Sequence, residues 1–196
     1  MFDLVISDLH IGHKNIEEFC PIRKTKDYND HDKFIIEYVN NKLSPKDKVL
    51  FLGDMAFYNG YKKLINLRTD CIYYLIPGNH DRQEHIQFYR DKLHWNILEG
   101  INIIKDGELI NEKFLSKYQN CLIYEDKFYS HFPIINNIKW DQKYDKITSL
   151  LYTIFKAYKC KYNYHGHTHE INIEDNRCIN MSIEQFFKDD LEIPED

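Results

Sequence analysis

The chain has 196 residues, 43% of them hydrophobic and 15% aromatic, which is enough to bury one core and excludes a disordered chain. It has no apolar run of ~18 residues, so a membrane-spanning helix is excluded, and its formal net charge of −5 argues against a module that grips long nucleic acid through Lys and Arg. Five widely spaced cysteines without a Cys-x-x-Cys pair, and a start (Met1-Phe2-Asp3-Leu4-Val5) lacking the basic region of a signal peptide, lead to the expectation of free thiols in the cytoplasm. The excess of Lys over Arg and the scarcity of Ala suggest an AT-rich genome, that of a phage or a low-GC bacterium.

Residues 2–7 read as a short buried strand, with further strands at 48–52 and 71–76. After the first strand, the run Arg23-Lys24-Thr25-Lys26 reads as a solvated loop, with a substrate-facing flap as the alternative. The spacing of Phe34, Ile35, Tyr38 and Val39 predicts an amphipathic helix over 31–43, closed by Pro45. A shorter helix over 61–67 links the second and third strands, so the opening of the sheet is expected to be largely parallel. Another helix is predicted over 82–93. Residues 121–124 and 127–130 flank Glu125-Asp126 as a hairpin. Ile147, Leu150, Leu151, Ile154, Phe155 and Tyr158 keep the helical period over 144–159. Strands are predicted near 162–165, 171–173 and 177–181, the last two joined by a Glu-Asp-Asn turn. Without repeat, low-complexity tract or linker, the expected organisation is one mixed α/β domain over 1–196.

Five segments lie at or just past predicted strand ends: Asp8-Leu9-His10, Gly53-Asp54, Gly78-Asn79-His80-Asp81, Ser130-His131-Phe132-Pro133 and Gly166-His167-Thr168-His169. In an open α/β sheet such ends surround the binding crevice. Imidazole with carboxylate is a donor set for divalent Zn, Mn, Fe or Ni. Asp8 and His10, two apart in an extended segment, point the same way and can grip one ion. A lone Gly-Asp belongs to ordinary turns, and Asp-x-His is little more specific. Gly-Asn-His-Asp and Gly-His-Thr-His are stronger signals, because a turn has no use for the added imidazoles. His31, His85 and His94 fall on predicted helices and read as ordinary helix histidines, while His165 reads as hydrogen-bonding support.

All five segments, in this order, resemble the calcineurin-like metallophosphoesterase superfamily over residues 3–181, and the stretch from Ser7 to Ile16 resembles a small bacterial and phage branch of it. The resemblance implies an α/β fold, a metallophosphoesterase-type β-sandwich of two mixed sheets flanked by helices with the site at one edge. It implies two divalent metal ions, manganese first and iron, zinc or nickel as alternatives. One would be held by Asp8, His10, Asp54 and His169, the other by the shared Asp54 with Asn79, His131 and His167. It also implies that hydroxide formed between the ions attacks phosphorus in line. His80 would protonate the leaving oxygen, with Asp81 orienting its ring and keeping it cationic, or capping the helix that follows. His13, Asn79 and His80 are the expected substrate contacts, with Lys14 and Asn15 as further candidates.

Protein phosphatases of this superfamily carry an Arg just before Gly-Asn-His, where this chain has Pro77, and Met55-Ala56-Phe57 follow Asp54. Without that clamp for a dianionic monoester, the expected substrate is a small phosphodiester, cyclic and linear nucleotides included. A phosphomonoesterase or nucleotide pyrophosphatase is the alternative. An inactive binding scaffold is a second, against which the filled ligand positions and His80 argue. No membrane or long nucleic-acid partner is expected.

Overall fold

The structure, a computed structural model, describes residues 2–24, 30–112 and 119–190. Its first sheet contains β1 (Leu4–Ile6), β2 (Lys48–Phe51), β3 (Ile72–Leu75) and β4 (Asn96–Ile97), side by side in that order and parallel throughout. Parallel neighbours require crossovers. The chain supplies them as α1 (Ile16–Phe19) and α2 (His31–Asn41), a 3-10 segment Tyr58–Asn66, and α3 (Gln83–Asp91).

The second sheet is built from β5 (Ile101–Lys105), β6 (Glu108–Glu112), β7 (Cys121–Tyr124), β8 (Lys127–Ser130), β9 (Tyr162–His165) and β10 (Cys178–Asn180), with α4 (Asp145–Ala157) between β8 and β9. Its spatial order is β10-β9-β8-β7-β5-β6, with antiparallel hairpins β5–β6 and β7–β8 and parallel pairs elsewhere. After β10 comes α5 (Ile183–Asp190).

Strand alternation stacks the layers. In β2, Val49 and Phe51 join the core formed with α2, while Leu50 and the following Leu52 face the second sheet, where they meet Leu122 and Tyr129. In β7, Cys121 and Ile123 turn the other way, toward Leu151, Ile154 and Phe155 of α4. Each such buried side chain contributes about 1.5–3 kcal/mol, so a polar residue at Leu50 would open the seam between the sheets. The two sheets are tied at one corner by a parallel bridge between Ser7 and Ser182, in which Ser7 N donates to Met181 O and Ile183 N to Ser7 O. That bridge seats α5 beside the end of β1, where Phe187 packs on Phe34.

The predicted strands, the hairpin at Glu125-Asp126 and the long helices appear with boundaries shifted by a few residues; the link at 61–67 is 3-10 rather than α-helical. Among the strands, one expectation fails. Residues 171–173 form no strand, and β10 runs parallel to β9 instead of pairing back through a hairpin. A parallel partner needs the chain to return to the start of β9, so 171–177 is spent on tight turns. Ile171 N donates to Thr168 O, Asp175 N to Ile173 O, and Arg177 pairs with Asp175 at 2.7 Å. His94 lies just past α3, with φ at 56°, rather than on it. Arg23 is not solvated but fully buried, and residues 25–29 lie outside the described residues.

Candidate metal centre

The five segments converge because β1, β2, β3, β8 and β9 end at the same edge of the sandwich. The turns that follow are sharp. Asp8, His10, Asp54, His167 and His169 all take left-handed backbone, with φ of 60°, 52°, 55°, 70° and 52°. L-residues adopt this region at a cost, and such positions persist where the surroundings over-determine them. Here Asp8 N donates to Gly53 O and His10 N to Asp54 O, both at 3.1 Å. His80 N donates to Asp54 Oδ1 at 2.8 Å and His167 N to Asp8 Oδ2 at 2.9 Å. Close approach also explains Gly166, where a Cβ would lie 1.9 Å from Ser7 Oγ and 2.5 Å from Asp8 Oδ2.

Two groups of ligand-type atoms result, each within 4.8 Å: Asp8, His10 and His169 in one, Asp54, His131 and His167 in the other. Asp54 stands between them. Its Oδ2 is 3.8 Å from His10 Nε2, 3.4 Å from His131 Nε2 and 4.0 Å from His80 Nε2. Asn79 joins the second group through Oδ1, 3.0 Å from His131 Nε2.

Hydrogen bonding tests whether these residues suit a cation. His131 Nδ1 lies 2.7 Å from Leu52 O, and since a carbonyl only accepts, Nδ1 carries the ring proton. Nε2 then faces Asn79 Oδ1 and Asp54 Oδ2, two acceptors that a proton or a cation held at that nitrogen would satisfy. Burial works against charge on His131, yet Asp54 and Asp8 push it up to about 9, which shows how strongly this corner favours positive charge. In the other group, Asp8 Oδ1 and both ring nitrogens of His10 are buried without a hydrogen-bond partner. Burial opposes ionisation of Asp8, but the His10 ring and the charges of His169 and His131 hold its carboxyl well below the usual range. Burial brings His10 down to about 4, so its neutral form is preferred. Ionised carboxylate beside neutral imidazole is the state in which Asp8 and His10 bind a metal, and these residues fit. Burial opposes charge on His169, but Cys20, Glu184 and Asp8 push it up to about 11, so it would release a ring proton to an incoming ion.

Several supporting residues leave no mark in the sequence. His169 Nδ1 lies 2.8 Å from Glu184 Oε1, and His167 Nε2 lies 2.9 Å from Asp141 Oδ2, a carboxylate of the 3-10 segment Lys139–Tyr144. Ser182 Oγ donates to Asp8 Oδ2 at 2.9 Å. Such partners fix the tautomer and orientation of a ligand. For Glu184 and Asp141 a carboxylate within reach of a candidate imidazole is the only signal, and it exists only in the folded chain.

Asp81 has another task than orienting His80. Its Oδ2 accepts from Asp54 N and Gly78 N, and its Oδ1 from Met55 N, so it pins the Gly53-Asp54 turn to the Gly78-Asn79 turn. Nor does it cap α3, whose N-cap is Arg82 without a side-chain bond. Burial, and then the charge of Asp54, raise Asp81 to about 6. His80 is 44% exposed, and the carboxylate facing its ring is Asp54. Burial lowers its pKa against the pull of that charge. His13 Nδ1 accepts from Asn15 N at 3.3 Å, which leaves Nε2–H as a donor near the centre. Phe57 packs against His10, His13 and His80 at ring separations of 5.1, 4.4 and 4.5 Å. Lys14 lines a cleft of about 440 Å³ beside Phe57, Tyr58 and Lys63. His165 is buried with Nδ1 on Gly166 O, and His85 is buried against Tyr61.

The chain matches the family model "Calcineurin-like phosphoesterase" over residues 4–171. It is 35% identical over 82 residues to Uncharacterized protein MJ1445 of Methanocaldococcus jannaschii, a match covering 40% of this chain and 46% of that protein, less than half of the relative's length. The crystal structure of AQ665, a protein of unknown function from Aquifex aeolicus, superposes with a TM-score of 0.62 over 93% of this chain and 91% of that one, at 22% identity, which shows a shared fold. No helix among the described residues is long and apolar enough to cross a membrane. With the match running through every segment from Asp8 to His169, the chain belongs to the calcineurin-like phosphoesterase family of metal-dependent phosphoester hydrolases.

Proposed function

We propose that the protein is a dinuclear metal-dependent phosphodiesterase acting on a small diester, with cyclic or linear nucleotides as the leading class. The observation that carries this reading is the position of Asp54 Oδ2, within 4 Å of His10 on one side and His131 on the other. A carboxylate so placed can serve two cations at once. Asp8, His10, Asp54 and His169 would hold one, and Asp54, Asn79, His131 and His167 the second. Bound there, divalent ions supply Lewis acidity that acidifies water and screens phosphate charge.

The chain's own residues supply the rest. Half-exposed His80 can reach a leaving oxygen and give it a proton. Asp81, through its backbone bonds, keeps the turns carrying Asp54 and His80 in register. His13 Nε2–H and the Asn79 amide would donate to a phosphate oxygen. A diester is favoured over a monoester because no guanidinium is free for a second phosphate charge at the usual place. Pro77 stands there, and Arg23 is buried on Glu184. A formal net charge of −5 suits a small ester better than long nucleic acid.

The test is hydrolysis of matched p-nitrophenyl diester and monoester substrates with manganese, on native protein, metal-stripped protein and His80→Ala. Diester cleavage that requires metal and falls in the variant supports the reading. Faster turnover of the monoester would replace it with the phosphomonoesterase alternative.

A further inference from the structure

Each candidate ligand group is backed by a buried carboxylate, and the two are built differently. Glu184, the second residue of α5, lies beyond the matched region that ends at 171. Its Oε1 takes the His169 Nδ1 hydrogen bond and also receives Arg23 Nε at 2.8 Å and Nη2 at 2.6 Å. Its Oε2 is buried without a partner. Arg23, itself 0% exposed, donates onward to Leu9 O at 3.0 Å and to Asp8 O. One guanidinium thus joins α5 to the turn on which Asp8 and His10 hold left-handed backbone. Two residues before Glu184, Ser182 reaches the Asp8 carboxylate from the same stretch of chain.

We propose that Glu184, clamped by Arg23, is the positioning residue of the Asp8–His10–His169 group. It keeps the ring proton of His169 on Nδ1, presents Nε2 as the ligand atom, and so controls loading of that group separately from the Asp54–His131–His167 group, whose counterpart is Asp141. The inference rests on the dinuclear reading above. A carboxylate behind a ligating imidazole fixes its tautomer and raises its basicity, and losing it weakens metal affinity about 10–100-fold.

A competing role for the same residues is a cation site of their own, since Cys20, His169 and Glu184 also bring ligand atoms within 4.8 Å of one another. Two features argue against it. The Arg23 guanidinium already supplies the positive charge at Glu184 Oε1. A His169 Nδ1 that carries a proton for Glu184 cannot ligate at that nitrogen.

The experiment is a manganese titration by calorimetry with elemental analysis, on the native chain, Glu184→Gln, Asp141→Asn and the double variant. The native chain is expected to take two ions. Glu184→Gln should keep one at native affinity and weaken the other about 10–100-fold, Asp141→Asn should weaken the complementary ion, and the double variant should weaken both. Should Glu184→Gln fail to fold with Arg23 left unpaired, Glu184→Asp retains the charge but draws it back from His169, and should show the same selective loss. Two ions at native affinity in a folded Glu184→Gln or Glu184→Asp would overturn the proposal while leaving the dinuclear reading intact. Equal weakening of both ions by either single variant would do the same. A third ion in the native chain, lost in Cys20→Ala, would make Glu184 a ligand and overturn it too. A native chain that binds no manganese would remove the dinuclear reading along with it.

Discussion

The two halves of the candidate centre share Asp54 and a sheet edge, yet they are secured by different physics. The half with Asp8, His10 and His169 is held from behind by a fully buried ion pair, Arg23–Glu184, in which each member needs the other. The half with His131 and His167 is held by a backbone carbonyl, by Asp141 and by packing, with Phe132 and Tyr144 rings 4.5 and 5.1 Å from His167. A single hydrogen bond with packing degrades gradually when one contact is removed. A buried ion pair does not, because the remaining charge is stranded. Similar ligand sets can therefore differ widely in tolerance to change nearby.

The largest expected effect erases the distinction. Asp54→Asn takes charge from both halves, so diester turnover should fall by roughly 10³-fold or more, as expected when several kcal/mol of Lewis-acid stabilisation is lost, and bound metal should fall with it. Steady-state kinetics beside elemental analysis measures both; retained turnover would remove Asp54 from the mechanism. Next, Arg23→Met should strand Glu184 and lower stability by about 3–5 kcal/mol, against about 1–3 kcal/mol for Asp141→Asn in the other half. Chemical denaturation of the metal-free proteins reads the difference, and equal losses would break the comparison. Gly166→Ala forces a Cβ onto Ser7 and Asp8, where the sheets meet, and should cost about 1–3 kcal/mol as an overpacking change.

The smallest effect is on acid stability. Asp32 accepts from Gly12 N at 2.8 Å and from Lys63 at 2.7 Å, bracing the turn after His10. Burial opposes its ionisation, but bonds from His31, Lys63 and Gly12 bring it from 3.8 to about 2. A folded-state pKa below the unfolded one gives stability that is present above pH 3.8 and is lost as the pH falls toward about 2. Asp32→Asn should therefore be less stable than the native chain at neutral pH, with the gap closing over that window in acid-unfolding curves.

The ligand segments were legible in the sequence because strand ends, glycines and imidazoles leave local marks: Gly78-Asn79-His80-Asp81 and Gly166-His167-Thr168-His169 declare themselves wherever they fold. The supports left none. Arg23 sits in a basic run that reads as solvated, and only the approach of α5 decides that it is buried on Glu184. Asp141 is a lone carboxylate in a stretch with no period. Asp81 was recognised by its motif, but its partners are backbone amides from two separate turns, which no side-chain pattern records. The β5–β6 hairpin does carry a local mark. Asp106-Gly107, with φ of 52° and 84°, is the two-residue turn such strands favour. In α5, Ile183, Phe186 and Phe187 recur at helical spacing.

The seating of α5 against β1 also has a consequence for the order in which the centre is assembled during synthesis. His131, Asp141 and His167 are all translated before Ser182 and Glu184, and Glu184 follows His167 by 17 positions. At roughly 5–20 residues per second, a nascent chain spends about 1–3 s with one half of its ligands and their support complete while the clamp of the other is still unmade. If the dinuclear reading holds, metal offered to the emerging chain would meet the half backed by Asp141 before the half clamped by Glu184, an order of loading that the finished fold would no longer reveal.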